Sequence, residues 1–99
     1  MSSAPGTQPS IEPGLTGIVK RATADLGERL DVGVGEISVV SAELVTWGDA
    51  SHGCPQKGRV YVQVVEDGSR IILAHGGTRY EYHTGGSATV PFLCTTPSR

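Results

Sequence analysis

The sequence predicts a single α+β domain, in which one N-terminal helix packs on a four- to five-stranded antiparallel meander sheet with one disulfide. Three observations predict this fold: an apolar stripe with helical spacing near the N-terminus, a series of β-rich runs and short turns after Glu36, and two cysteines 40 positions apart. A chain of 99 residues has the length of one domain. Because only 37% of its residues are hydrophobic and few are aromatic, we expect a small and mostly aliphatic core.

The first residues have the composition of a flexible leader. Residues 1–11 are small, polar and proline-containing, which is typical of unpacked segments. Such a segment is either an ordinary frayed terminus or a tether of the kind that follows the cleaved signal of an exported or lipid-anchored bacterial protein. We therefore expect the domain to span residues 12–95, with a C-terminal tail at residues 96–99.

A helix is expected between about Leu15 and Leu30. Pro13 suits its first turn, and Gly33 follows its end. A glycine such as Gly27 weakens a helix by about 1 kcal/mol, so packing on the sheet must stabilise it. Gaps of three and four place the apolar residues on one face. These residues are Leu15, Ile18, Val19, Ala22, Leu26 and Leu30.

Alternating and β-branched residues predict strands along the rest of the chain. Asp67-Gly68 and Gly76-Gly77 have the composition of two-residue hairpin turns, so the runs beside them are expected to form the meander. The alternation changes phase near Ala42-Glu43, where we expect a β-bulge. Pro91 restricts the last run to a sheet edge or extended coil. The predicted strands are 37–47, 60–65, 70–75, 78–84 and 90–94.

Charge and cysteine content narrow the classes of function. The net charge is −2 and the basic residues are scattered, which argues against a nucleic-acid surface. No run approaches the length of about 18 apolar residues that a membrane span needs. Cys54 and Cys94 are expected to form a disulfide, because an even cysteine count in a small exported domain is typical of a bridge.

Chemistry-bearing residues give no credible catalytic set. Asp49, Ser51 and His52 are too close in sequence to aim at one point as a triad does, and nothing predicts a base that would activate the Cys54 thiol. No cofactor is indicated. One alternative is a small zinc- or thiol-dependent protein that uses Cys54, Cys94 and His52, although structural zinc sites use paired short spacings that are missing here.

The most distinctive segment is the loop 48–58, which follows Trp47 and contains Cys54-Pro55. A loop held by a buried tryptophan and a disulfide loses little entropy on binding, as protease inhibitors show. The other interpretation is a structural loop that only carries the bridge. A second candidate surface is the strand around Glu81. The candidate binding residues are Trp47, Asp49, Ser51, His52, Pro55 and Gln56 in the loop, and Tyr80, Tyr82 and His83 on the strand.

The chain resembles a family of small exported bacterial domains, often actinobacterial, of unassigned activity. The resemblance lies in the segment Trp47–Gly58, W-G-D-A-S-H-G-C-P-Q-K-G, and in the later Y-E-Y-H and F-L-C. The family pattern is W-P-D-x-S-x-G-C-P-x-x-G, and the match covers residues 20–94. Gly48 replaces the usual proline and His52 the usual leucine, which implies a looser and more polar loop. The resemblance implies export and no particular reaction. The order of helix and meander is similar to small secreted PepSY and β-lactamase-inhibitor-protein folds, at the level of the fold alone.

We therefore expect an exported, non-enzymatic binding module of the cell envelope or exterior, with a possible lipid anchor upstream in its precursor. It is expected to be a monomer with no transmembrane segment, and to recognise a protein such as a hydrolase through loop 48–58. A purely structural domain of an envelope assembly is the remaining alternative.

Overall fold

The computed structural model describes residues 10–97 and shows one helix and a five-stranded sheet. The strand order in the sheet is the order in the chain. A 3₁₀ turn at Pro13–Leu15 leads into the helix α1, Thr16–Leu30, and a second 3₁₀ turn lies at Val34–Glu36. The strands are β1 Ser10–Ile11, β2 Ser38–Trp47, β3 Glu66–His75, β4 Thr78–Gly85 and β5 Phe92–Cys94.

The helix lies where its apolar spacing predicts, and its glycine has a packing reason. Gly27 is buried, and a Cβ at this position would lie 3.0 Å from the Val32 carbonyl oxygen. The chain turns back at this point because Asp31 adopts a left-handed conformation with φ of 58°. Its N–H donates to the Glu28 carbonyl. A larger residue at position 27 would clash with the chain after Asp31, which passes close to the helix.

The core lies between α1 and one face of the sheet. Tyr82, Ile71 and Leu73 are fully buried there beneath the helix. The Tyr82 hydroxyl donates to the Asp25 carboxylate of α1 over 2.6 Å. This hydrogen bond, followed by that from Arg29, lowers the pKa of Asp25, while burial raises the pKa of Tyr82. The contact ties the helix to the sheet centre.

The sheet is mixed, so the prediction of a purely antiparallel meander is wrong in one respect. Ser10 and Ile11, which the composition assigned to the leader, form β1 and pair in parallel with Ser41 and Ala42 of β2. The other strand pairs are antiparallel. Parallel pairing is possible because the helix crosses over between the two strands. The expected leader at residues 1–9 and the last tail residues, 98–99, lie outside the described residues.

The hairpin predicted at Asp67-Gly68 does not form, because both residues lie inside β3. Glycine is needed at position 68 because the Thr84 carbonyl oxygen lies very close to its backbone, and not because the chain turns there. A Cβ at this position would lie 2.1 Å from that oxygen. The predicted strand 60–65 is an unpaired segment before β3. By contrast, Gly76 and Gly77 form the expected turn, with φ of 58° and 83°. The irregularity in β2 falls between Val39 and Ser41, just before the expected position.

Candidate functional site

The loop between β2 and β3 folds over one end of the sheet, on the face opposite α1. We call this face the outer face. It is marked by Glu43 of β2, Arg70 of β3, and Glu81 and His83 of β4, which alternate with the core residues. The predicted disulfide between Cys54 and Cys94 is confirmed, with Cα atoms 5.7 Å apart, and it ties the loop to β5.

Trp47 is the surface on which the loop packs. Its Nε1–H donates to the Thr84 carbonyl over 2.7 Å, which fixes the ring against β4. Gly53 lies directly on that ring, because a Cβ there would lie 2.2 Å from Trp47 Cζ3. The His83 ring stacks on the tryptophan with centroids 4.6 Å apart. The loop therefore approaches the sheet too closely for a side chain at position 53.

His52 connects the loop to β3 and β4. Its Nε2 lies 2.6 Å from the Glu66 carboxylate. Its ring lies on Gly85, where a Cβ would be 2.3 Å away. Its backbone has a φ of 51°, which aims the carbonyl at His83 Nδ1, 2.8 Å away. His52 thus binds through both its side chain and its main chain.

An ionic chain below the loop runs from the buried His83 ring to the exposed Glu43 carboxylate. The Nε2 of His83 lies 2.7 Å from the Glu81 carboxylate, which also accepts from Arg70 Nε over 2.7 Å, and Arg70 Nη1 donates to Glu43. Each ring nitrogen of His83 has an oxygen partner, because Nδ1 lies 2.8 Å from the His52 carbonyl and Nε2 faces the Glu81 carboxylate. Burial alone would raise the pKa of Glu81, but the hydrogen bonds from Arg70 and His83 outweigh it and lower the pKa.

The residues of the rejected triad have other partners. Asp49 Oδ1 accepts from the Ser51 N–H over 2.9 Å and from the Ser51 hydroxyl over 2.6 Å, which closes a turn of the loop. These two bonds lower the pKa of Asp49. Because Ser51 donates to Asp49 and His52 binds Glu66, the serine has no histidine partner to take its proton.

Beyond Cys54 the loop turns outward. Gln56 and Arg59 close a turn, in which the Arg59 N–H donates to the Gln56 carbonyl, and Gly58 has a φ of 81°. Every side chain from position 55 to position 60 is exposed. We call residues 55–60 the tip and residues 48–54 the base. Tyr61 supports the tip, because its hydroxyl accepts from the Gln56 N–H and its ring lies 5.8 Å from the Arg59 guanidinium carbon.

The stretch from Val60, the last residue of the tip, to Val65 carries apolar side chains that are open to solvent. Val60, Val62 and Val65 are 97%, 71% and 72% exposed. The Val62 carbonyl accepts from the Ala50 N–H. Within residues 10–97, no N–H from position 60 to position 65 donates a hydrogen bond to the backbone. This stretch therefore offers both apolar side chains and free main-chain donors beside the basic tip.

The predicted binding residues differ in their exposure to solvent. Pro55 and Gln56 are exposed on the tip, whereas Trp47, Asp49 and His52 are partly buried in contacts of the base. Three predicted residues are buried, and Tyr80 packs at the core edge. The buried three are Ser51, Tyr82 and His83. Sequence reasoning missed the exposed cations of the tip, although K-G-R, a glycine between two basic residues, is a typical turn sequence.

The described residues, 10–97, contain neither a metal-binding cluster nor a helix that could span a membrane. Both cysteine sulfurs are bonded to each other, which removes them as thiolate ligands. Across residues 10–97, no three His, Cys, Asp or Glu side chains lie in a group that could hold a metal ion. In the same part of the chain, no helix has the length and apolar character needed to cross a membrane.

Comparison with known proteins gives one match. Neither a curated protein nor a solved structure matches the chain. A family model described as a domain of unknown function, DUF8738, matches residues 19–94. The matched span runs from the helix to the second cysteine and so includes the base, the tip and the ionic chain. The chain belongs to the DUF8738 family.

Proposed function

We propose that this protein is a non-enzymatic binding module, which docks on another protein through the tip, residues 55–60. The observation that carries the proposal is the contrast between the two halves of one loop. The base is fixed by the disulfide, by Trp47 and by His52, while the tip exposes every side chain. A segment already fixed at its base loses less conformational entropy on binding, so more of its contact energy appears as affinity.

The chemistry of the tip indicates the kind of surface it fits. Lys57 and Arg59 are exposed, and no acidic side chain within residues 10–97 forms a salt bridge with either of them. The exposed valines follow directly. A partner with a concave, acidic and partly apolar surface is complementary to this combination. The cleft of a hydrolase is such a surface, and an inhibitor-like loop is the form of ligand that it accepts.

Export is part of the proposal. The disulfide is compatible with an oxidising compartment outside the cytosol, where such bonds persist. Residues 1–9, which precede β1 and contain Ser, Pro and Gly, have the composition of a tether. Together these features support a docking module at the cell envelope or exterior.

A crosslinking experiment tests the proposal. A photo-reactive amino acid replaces Gln56, the captured protein is identified by mass spectrometry, and the purified partner is then titrated with unmodified protein. We expect the double variant K57A/R59A to bind at least about tenfold more weakly. The control K20A removes an exposed lysine from the helix and should bind as the wild type does. Equal affinity of K57A/R59A and the wild type would refute docking through the tip.

A further inference from the structure

At the end of the sheet opposite the loop, β4 has an open edge. β4 begins at Thr78, but β5 pairs only with Glu81–His83. Within residues 10–97, no strand pairs with Thr78–Tyr80 on that side. Their outward main-chain groups are thus free to accept another strand.

The segment after β5 does not continue along the edge of β4, because a hydrogen bond connects it to the loop. The Thr96 hydroxyl donates to the Pro55 carbonyl over 2.8 Å, which draws the chain after Cys94 toward the loop and away from β4. A cleft of about 490 Å³ remains between them. Its size is within the range of about 300–1,000 Å³ that is typical of ligand sites. Its lining includes Arg70, Ile72, Arg79, Tyr80, Leu93 and one acidic residue, Glu81, whose carboxylate is bound by Arg70.

One cation in the cleft has no salt-bridge partner among residues 10–97. Arg70 lies between the carboxylates of Glu43 and Glu81, and Glu81 also binds the His83 ring. Arg79 is exposed and forms no salt bridge with any side chain of residues 10–97. The cleft therefore presents one free guanidinium beside an apolar wall.

We infer that this cleft binds an extended peptide with a carboxylate at its end. The peptide adds as a strand along Thr78–Tyr80, its side chains contact Ile72 and Leu93, and its carboxylate accepts the fork of N–H donors of Arg79. The carboxylate is either the C-terminus of the peptide or the side chain of a terminal acidic residue. This site is distinct from the exposed side chains of the tip, although the Pro55 carbonyl holds the segment after Cys94 in place, and it adds a second contact to the module.

Three pools of N-acetylated pentapeptides test the inference by titration into ¹⁵N-labelled protein. All are randomised at the first four positions. The last residue is valine with a free carboxylate, valine amide, or glutamate amide. We expect the first pool to shift the amide signals of Thr78–Tyr80, and the valine amide pool to leave them unchanged. A response to the glutamate amide pool would identify a side-chain carboxylate as a sufficient source.

The matched variants are R79A and R59A, which each remove one exposed arginine. R79A should weaken binding of the free-carboxylate pool at least about tenfold, and R59A should leave it unchanged. Loss of partner docking in R59A with normal peptide binding would separate the two sites. No shift at millimolar peptide, equal response to the valine carboxylate and valine amide pools, or full binding by R79A would overturn the inference.

Discussion

Replacement of Gly53 by alanine is predicted to destabilise the protein through the contact between the loop and Trp47. The new Cβ would lie 2.2 Å from the ring, so the ring or the loop must move. Overpacking of this kind costs about 1–3 kcal/mol. The left-handed φ of 74° adds about 1 kcal/mol for a residue with a side chain. We expect a total loss of about 2–4 kcal/mol in the free energy of unfolding.

Gly58→Ala is the matched control. Gly58 has a similar φ of 81° but no atom within 4 Å of its would-be Cβ, so alanine there carries the backbone strain alone, about 1 kcal/mol. Urea unfolding of both oxidised variants, followed by the fluorescence of the single tryptophan, gives the difference. If the two variants agree within about 0.5 kcal/mol, the loop does not pack on Trp47 and the reasoning is refuted.

Three further predictions concern the contacts that support the site. Replacement of Cys54 and Cys94 by serine should lower the free energy of unfolding by about 4 kcal/mol, measured by urea titration, and an unchanged value would contradict the role of the bridge. The lowered pKa of Glu81 means that its carboxylate stabilises the fold above its unfolded pKa of about 4.5, and that this stability is lost as pH falls through the folded value. The difference in urea midpoint between wild type and E81Q should therefore be present at pH 7 and vanish in acid, whereas a constant difference would contradict it. Y82F should cost about 1–2 kcal/mol by removing the hydrogen bond to Asp25, and D25N should add little to that loss in the double variant.

The helix and the general fold could be predicted from the sequence because their signals are local. The spacing of the apolar residues from Leu15 to Leu30 indicates which helix face packs on the sheet. This inference does not require knowing which strand the helix contacts. The parallel β1 could not be predicted, since two residues at the end of a polar segment carry no periodicity. Ser10 pairs with Ser41, which lies on the other side of the helix in the chain, so no local pattern indicates this pairing.

The error at residues 60–68 shows the limit of pattern reasoning. Alternating valines indicate an extended backbone, and the chain from Val60 to Val65 is indeed free of helix, but alternation cannot tell whether a neighbouring strand exists. Asp67-Gly68 has the composition of a turn, yet the glycine is needed for the approach of Trp47 and Thr84. A glycine in the sequence is consistent with either a turn or a close approach of another group to the backbone, and the sequence does not tell which.

The candidate site was predicted in outline, as a loop held by a disulfide and a tryptophan. The partners of its polar residues were not predictable, because they lie far away in sequence. His52 binds Glu66, and His83 binds the His52 carbonyl across 31 positions. Their place on a loop held by a tryptophan and a disulfide suggested that Asp49, Ser51 and His52 belong to the contact surface. The structure uses them in the base, and the exposed tip follows them.

Hydrogen–deuterium exchange of the oxidised protein tests most directly whether a fixed base presents a free tip. The N–H groups of His52 and Cys54 donate to backbone carbonyls within the base, so we expect them to exchange slowly. Residues 57–58 and 60–65 donate no backbone hydrogen bonds within the described chain and should exchange within seconds. Fast exchange of both groups would mean that the base is not fixed. Slow exchange of both would mean that residues 60–65 are paired, and either result would contradict the account.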